Sequence, residues 1–287
     1  MSTRSAVIIG LPASGKTTFL AALWHLITAR DVDTVLRFDS LKDGDTSHLN
    51  AIAVRWREAK EQDRTAVGGN RLVSMSLKDA VGRPVRVTFP DVPGEAYRRM
   101  WEERDCEPEI AEILKDGDVL LFVHADTIRA PSWVVDEIAL SKAVGLEIPP
   151  PGQEVPWHPR LAPTQVQLVD LLQLLRMPPL DVGPRKLAIM LSAWDKAEGE
   201  GLAPKAYLET KLPLLVQYLR VGADGWIWCV YGLSAQGGDY DPTDPEADLK
   251  PEAEALRQLD RPSTRIRLVG DRPKTHDLTE PLVWLME

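Results

Sequence analysis

The sequence predicts an α/β fold built on a mostly parallel sheet with one antiparallel edge strand, helices on both faces and several insertions. Three observations support it. Five short apolar runs, Ala6 to Ile9, Val85 to Phe89, Val119 to Val123, Leu187 to Leu191 and Trp226 to Tyr231, are nearly continuous, as strands buried on both faces must be. Segments with apolar residues at helical spacing lie between them. The first run passes into the first helical segment through Gly10-Leu11-Pro12-Ala13-Ser14-Gly15-Lys16-Thr17.

That passage is the G-x-x-x-x-G-K-[ST] pattern in its required strand-loop-helix setting. Its glycines let backbone N–H groups converge on anionic oxygens. Lys16 reaches the β- and γ-phosphates, and the Thr17 hydroxyl is placed to ligate Mg²⁺. Pro12, Ala13, Ser14 and Thr18 complete the cradle. The fold expected is therefore a three-layer P-loop NTPase, and the ligand a nucleoside triphosphate or diphosphate.

The remaining elements follow in order. The first helix is expected from about Thr17 to Arg30, with Phe19, Leu20, Leu23, Trp24 and Ile27 on one face. The segment from Asp31 to Asn70 is longer than a minimal nucleotide switch needs, and Leu49, Ile52, Ala53, Trp56 and Ala59 predict a helix near Ser47 to Gln62. Arg71 to Leu77 alternates polar and apolar residues and suits the edge strand, hairpinned to Val85–Phe89 through Asp79 to Pro84. Prolines punctuate Asp126 to Arg185 too often for one long helix. A helix, a proline-rich surface excursion and a second helix around Thr164 to Arg176 are expected there, the last packed on the sheet or presented to a partner. An acidic, proline-containing loop is expected from Gly237 to Pro262, and a closing helix from Thr279 to Leu285 with Thr279 as its N-cap. The simplest organisation is one domain over 1–287, with insertions at about 31–64, 126–185 and 237–262.

Composition narrows the function. A net charge of −9 argues against general affinity for nucleic acid or an anionic membrane surface, so phosphate binding must be local. Cys106 and Cys229 are the only cysteines, too few for a disulfide framework, and Cys229 reads as a small buried hydrophobe. The five histidines show no metal-ligand spacing. No signal-peptide-like segment, membrane-length apolar run or terminal lipidation signal is present, and the expectation is a cytoplasmic protein that meets neither membrane nor nucleic acid.

Three further patterns extend the phosphate site. Phe89-Pro90-Asp91-Val92-Pro93-Gly94-Glu95 ends a core strand with an Asp that can hold the Mg²⁺ shell and a Gly that lets a backbone N–H approach the γ-phosphate. Leu187 to Lys196 puts Asp195 just past another strand, where a carboxylate can accept from the guanine ring N–H and exocyclic amine. Leaving such a carboxylate unpaired costs about 1–3 kcal/mol, enough to disfavour adenine. Ser234-Ala235 follows the last run, where a tight turn can offer a backbone N–H to the guanine carbonyl.

This order of pieces resembles the Ras-like GTPases of the translation-factor-related class. Leu-Ser-Ala-Trp-Asp-Lys at 191–196, Pro-Gly-Glu after Asp91 and the ending Asp277 to Leu285 are similar, more narrowly, to the bacterial double-GTPase family, which is associated with gene clusters thought to act in biological conflict and defence. The resemblance implies that Gly10, Gly15, Lys16 and Thr17 hold phosphates and Mg²⁺ while Asp91 and Gly94 sense the γ-phosphate. It further implies that Asp195 and Lys196 meet guanine, with Ser234 and Ala235 behind them. The switch threonine that ligates Mg²⁺ beside Thr17 and Asp91 is expected at Thr65, with Thr46 as alternative. Catalytic roles fall to Lys16, Thr65 and Glu95.

Two departures stand out. Ser192 and Ala193 occupy the first two places of the usual Asn-Lys-x-Asp motif, so the lysine that packs over the purine is absent, with Trp194 or Lys196 as possible stacking substitutes. Glu95 stands where a Gln usually orients the attacking water. An ionised carboxylate there repels the γ-phosphate unless paired, so it serves as a base or hydrolysis is slow. Arg98 and Arg99 are either helpers in cis or part of a solvated helix face. The leading expectation is a GTP-binding molecular switch using GTP, GDP and Mg²⁺, with slow or partner-stimulated hydrolysis and a protein effector. The alternatives are a P-loop ATPase or small-molecule kinase, and a nucleotide-dependent scaffold that never hydrolyses.

Overall fold

The computed structural model describes residues 4–62, 71–91, 99–115, 117–131, 138–139, 142–145, 158–181, 183, 185–222, 225–243, 248–271 and 273–287. In chain order the elements are β1 (Arg4–Gly10), α1 (Lys16–Ala29), β2 (Arg37–Asp43), α2 (Thr46–Arg57), β3 (Arg71–Lys78), β4 (Pro84–Asp91), α3 (Pro108–Lys115) and β5 (Asp118–His124). There follow α4 (Thr164–Leu174), β6 (Lys186–Ser192), α5 (Trp194–Ala197), α6 (Pro204–Lys211), α7 (Pro213–Val221), β7 (Ile227–Ser234), α8 (Pro251–Arg257), β8 (Arg267–Val269) and α9 (Glu280–Met286).

The strands form one eight-stranded sheet in the order β2-β3-β4-β1-β5-β6-β7-β8. Successive side chains of a strand point to opposite faces, and here both faces are covered. Ala6, Ile8, Leu120, Phe122, Ala188 and Met190 pack with α1, α2, α8 and α9 on one side. Val7, Ile9, Val119, Leu121, Val123, Leu187, Ile189 and Leu191 pack with α3, α4, α6 and α7 on the other. This is why the central strands are apolar at nearly every position, and it yields the three layers expected. The β1–β4, β1–β5, β5–β6 and β6–β7 pairs are parallel.

The sheet is wider than the sequence signals suggest. Arg71–Lys78 is antiparallel to β4, as predicted, but it is interior: β2 lies outside it and pairs with it antiparallel. At the other end β8 runs antiparallel to β7, so the sheet has an antiparallel strand at both edges where one was expected. β2 escapes a periodicity search because only Phe38 and Leu41 reach the core, while Lys78 Nζ pairs across the strands with Asp39 Oδ1 at 3.1 Å. The stretch expected as a loop over 237–262 contains α8, whose Ala253 is buried in the core.

The predicted helices at 17–30 and 164–176 form within a residue or two of their expected ends, and the helix placed near Ser47 to Gln62 stops at Arg57. α1 buries Phe19, Leu20, Leu23, Trp24 and Ile27, and α4 seats Leu168, Leu171 and Leu172 in the core. The expected helix and proline-rich excursion of 126–157 fall largely outside the described residues. Among the described residues no helix is long and apolar enough to cross a membrane. Cys229 packs against the core, and burial pushes its thiol up to about 12.

Thr279 precedes α9, but its hydroxyl does not cap that helix. It donates instead to Asp277 Oδ1 (2.7 Å) and accepts from the Leu36 amide (3.1 Å), while Asp277 Oδ2 accepts from the Val35 amide at 2.7 Å. The Asp277–Thr279 pair thus closes the connection between α1 and β2 and supplies an acceptor for the amide of buried Leu36 that burial would otherwise leave unpaired. Burial raises the Asp277 pKa, and these hydrogen bonds oppose the shift.

His25 sits on α1 with its ring 5.1 Å from that of Trp56. Burial lowers its pKa below 6.5, Asp31 acting in the opposite direction. The folded state therefore holds the neutral imidazole and the unfolded chain takes up the proton more readily. Stability should be full above pH 6.5 and decline as pH falls toward the lowered value, by up to about 1.4 kcal/mol per pH unit. Urea unfolding of wild type and His25→Gln from pH 5 to 7.5 should show a shallower slope in the variant; equal slopes would remove His25 as a cause.

Candidate nucleotide-binding site

β1 ends between β4 and β5, and the chain turns there into α1 with little space for side chains. A Cβ on Gly10 would lie 2.6 Å from the Phe122 carbonyl oxygen and 2.6 Å from Ser14 Oγ. Gly15 has a φ of 88°, in the left-handed region, and a Cβ there would come within 3.1 Å of Ser192. Both glycines of the motif are thus required by close approach and the second also by backbone conformation. Ala13 is left-handed too, at φ 57°, and exposed, while Ser14 is buried.

Lys16 folds back over this turn. Its Nζ donates to the Gly10 carbonyl (2.7 Å), the Leu11 carbonyl (2.9 Å) and Ser14 Oγ (3.3 Å). The ammonium is thereby held where the loop, the start of α1 and the half-buried Thr17 and Thr18 converge. Four helix amides lack intrahelical acceptors at such an N-terminus, and the helix dipole adds positive potential. The ensemble is a site for anionic oxygen.

Asp91 is the last residue of β4. Thr88 pairs with Val7, so three residues further on Asp91 comes level with Gly10, at the same end of the sheet as Thr17. Mg²⁺ prefers hard oxygen donors, and the Thr17 hydroxyl is of that kind. Gly94, Glu95, Arg98 and Thr65 lie outside the described residues. Thr46 is the exposed first residue of α2, following β2 at the outer edge of the sheet. Arg99 is on the surface, paired with Asp105 at 2.9 Å and near Glu103 and Glu107, which together raise its pKa.

The segment expected to read the base follows β6. Ser192 ends the strand, and its Oγ donates to the Ser14 carbonyl at 2.8 Å, tying this segment to the phosphate loop. Ala193 turns the chain through a left-handed conformation, φ 53° and ψ 41°, into α5. Asp195 on α5 is half-buried and makes no side-chain hydrogen bond or ion pair with another described residue. Trp194 is 2% exposed, its ring edge-on to Tyr207 at a centroid distance of 5.3 Å and packed under Gly232. It is a core residue and not a platform for a purine. The other substitute, Lys196, is exposed and paired with Asp239, whose hydrogen bond raises its pKa.

Ser234 ends β7 in the adjacent position, and its Oγ accepts from the Gly237 amide at 3.1 Å, closing the Ser-Ala turn. The turn has an outside support that the sequence did not suggest. Trp56 of α2 donates its indole N–H to the Ala235 carbonyl at 2.9 Å. The signal available was chemical: a Trp buried on a helix must find an acceptor. His124 was also missed. It ends β5 in register with Ser192, and burial lowers its pKa against the opposing pull of Asp126 and Asp195.

The model of the family described as Double-GTPase 1 matches residues 7–285. No curated protein matches the chain. Among solved structures, the bacterial selenocysteine-specific elongation factor EF-Sec is 13% identical over 83% of this chain and 27% of its own, with a TM-score of 0.37. The nucleolar GTP-binding protein 1 of Plasmodium falciparum is 14% identical over 80% of this chain and 77% of its own, with a TM-score of 0.36. The signal recognition particle receptor SRb-GTP/SRX complex of Chaetomium thermophilum is 13% identical over 90% and 97%, with a TM-score of 0.39. This chain thus spans about a quarter of the first structure's length, and at these scores the likenesses carry no functional weight.

Removing the bond between Ser192 and Ser14 tests whether the two ends of the site act together. Ser192→Ala should weaken GDP binding about 2- to 12-fold, the share of one hydrogen bond. Isothermal titration that returns the wild-type affinity would show that the tie has no part in binding.

Proposed function

The chain belongs to the Double-GTPase 1 family, and from that premise we propose that it is a guanine-nucleotide switch. It binds GTP and GDP together with Mg²⁺, hydrolyses GTP slowly or under the influence of a protein partner, and presents a different surface to an effector in each state. The observation that carries this reading is the single bond from Ser192 to Ser14. It ties the strand end three residues before Asp195 to the phosphate loop. A nucleotide whose phosphates rest on Gly10–Thr18 would present its purine to Asp195, Lys196 and the Ser234–Ala235 turn.

In this arrangement the amides of the loop and the Lys16 ammonium bind and orient the phosphates. Thr17 and Asp91 would hold Mg²⁺, with Thr65 joining them in the triphosphate state. The ion, when bound, neutralises charge on the β- and γ-phosphate oxygens. Gly94 would give a backbone N–H access to the γ-phosphate, and Glu95 would take the place of the residue that orients the attacking water. Ordinary switches without assistance turn over at about 10⁻⁴ s⁻¹, and an ionised carboxylate next to the γ-phosphate favours a rate no higher. Arg99 already has carboxylate partners on the surface, which leaves a stimulating cation to Arg98 or to another molecule. A role in bacterial conflict systems completes the reading and rests on the family resemblance alone.

Asp195→Ala should weaken GDP binding about 10- to 100-fold while leaving ADP binding unchanged, the effect of losing a charged acceptor for two purine donors. Competition titrations with fluorescent GDP and ADP would check it, and equal affinity for both bases in the wild type would sink the guanine assignment. Glu95→Gln removes a like charge from the γ-phosphate and should tighten GTP binding about 10-fold with GDP binding unaltered. A GTP-to-GDP affinity ratio identical in the two proteins would place Glu95 away from the γ-phosphate.

A further inference from the structure

Helix α2 does more than cover α1. Its carboxyl end is fastened to the segment that follows β7 by a series of contacts. The Asp241 amide donates to the Ala59 carbonyl and the Glu61 amide to the Asp241 carbonyl, each at 2.9 Å. Buried Arg265 donates to the Trp56 carbonyl (2.9 Å), the Leu256 carbonyl (2.8 Å) and the Arg57 carbonyl (3.2 Å), with its guanidinium 4.6 Å from the centroid of the Trp56 ring. Trp56 itself is fully buried. From this anchored position its indole N–H reaches the Ala235 carbonyl.

We propose that Trp56 is a positioning residue for the purine. The Ala235 carbonyl it holds belongs to the peptide carrying the Gln236 amide, and peptide planes are rigid. Fixing that plane restricts rotation about the Ala235 α-carbon and so sets the direction of the preceding Ala235 amide as well. Ser234 Oγ holds the turn from inside through Gly237, and Trp56 holds it from outside. Together they aim the turn's N–H groups at the guanine 6-oxo group, a preorganisation that an unsupported turn would acquire only at an entropic cost on binding. This inference rests on the guanine reading above and specifies how the carbonyl end of the base is recognised.

The test replaces Trp56 with β-(3-benzothienyl)alanine, which keeps the outline of the indole and puts sulfur in place of the N–H, with Trp56→Phe as a second variant. Affinities are measured for GDP and for 2-aminopurine riboside diphosphate, which lacks the 6-oxo group, alongside thermal midpoints. The expected result is a 2- to 12-fold loss for GDP, the effect of one hydrogen bond, with no change for the analogue. Equal losses for both nucleotides would reduce Trp56 to a packing role and overturn the proposal, as would undiminished GDP binding. A wild-type protein indifferent between GDP, the analogue and ADP would overturn the guanine reading first and this inference with it. A wild type that prefers guanine while both variants keep that preference would overturn this inference alone.

Discussion

Where β1 gives way to α1 the chain must reverse within a few residues while Phe122 presses from one side and Ser192 from the other. Neither Gly10 nor Gly15 could carry a Cβ without meeting those neighbours at 3.1 Å or less. The crowding that excludes side chains also leaves backbone amides and the Lys16 ammonium as the groups available at the surface of the turn. The rest of the molecule supports this place. Parallel strands on either side fix the end of β1, and α1 leads directly away from it with nearly every apolar residue buried.

The purine end is built differently. No single loop supplies it. Asp195 comes from the turn after β6, the Ser-Ala segment from the turn after β7, and the brace behind the latter from α2, which lies far earlier in the sequence. These pieces converge because β6 and β7 are parallel neighbours and finish at the same edge of the sheet. Ser192 then joins the purine end to the phosphate end through one buried hydroxyl.

Much of this was legible in the sequence, and what was not had physical reasons. The five apolar runs became the core strands because a sheet covered on both faces leaves no position for polar residues. The phosphate loop was plain because its glycines answer steric demands that few other patterns share. β2 was missed because an edge strand with one ladder of hydrogen bonds and two apolar contacts needs no periodicity. Its absence from the reading made β3 look like the edge, and the alternation of Ser74 and Ser76 with Val73, Met75 and Leu77 reinforced that impression; both serines are in fact buried. Trp194 was offered as a stacking platform because its neighbours match a base-reading motif, yet a single step along a tight turn separates buried Trp194 from half-buried Asp195. The bond from Trp56 to Ala235 spans 179 positions, and no local pattern encodes such a partner.

The clasp formed by Asp277 and Thr279 has a bearing on how the molecule comes into being. The Val35 amide finds its acceptor 242 positions later in the chain and the Leu36 amide 243 later. During synthesis the stretch joining α1 to β2 therefore emerges well before the carboxylate and hydroxyl that accept from it in the folded protein. Water must solvate its two amides in the meantime, which holds that corner open in the nascent chain. That corner can be sealed only once the segment holding Asp277 and Thr279 has been made and has folded back onto it.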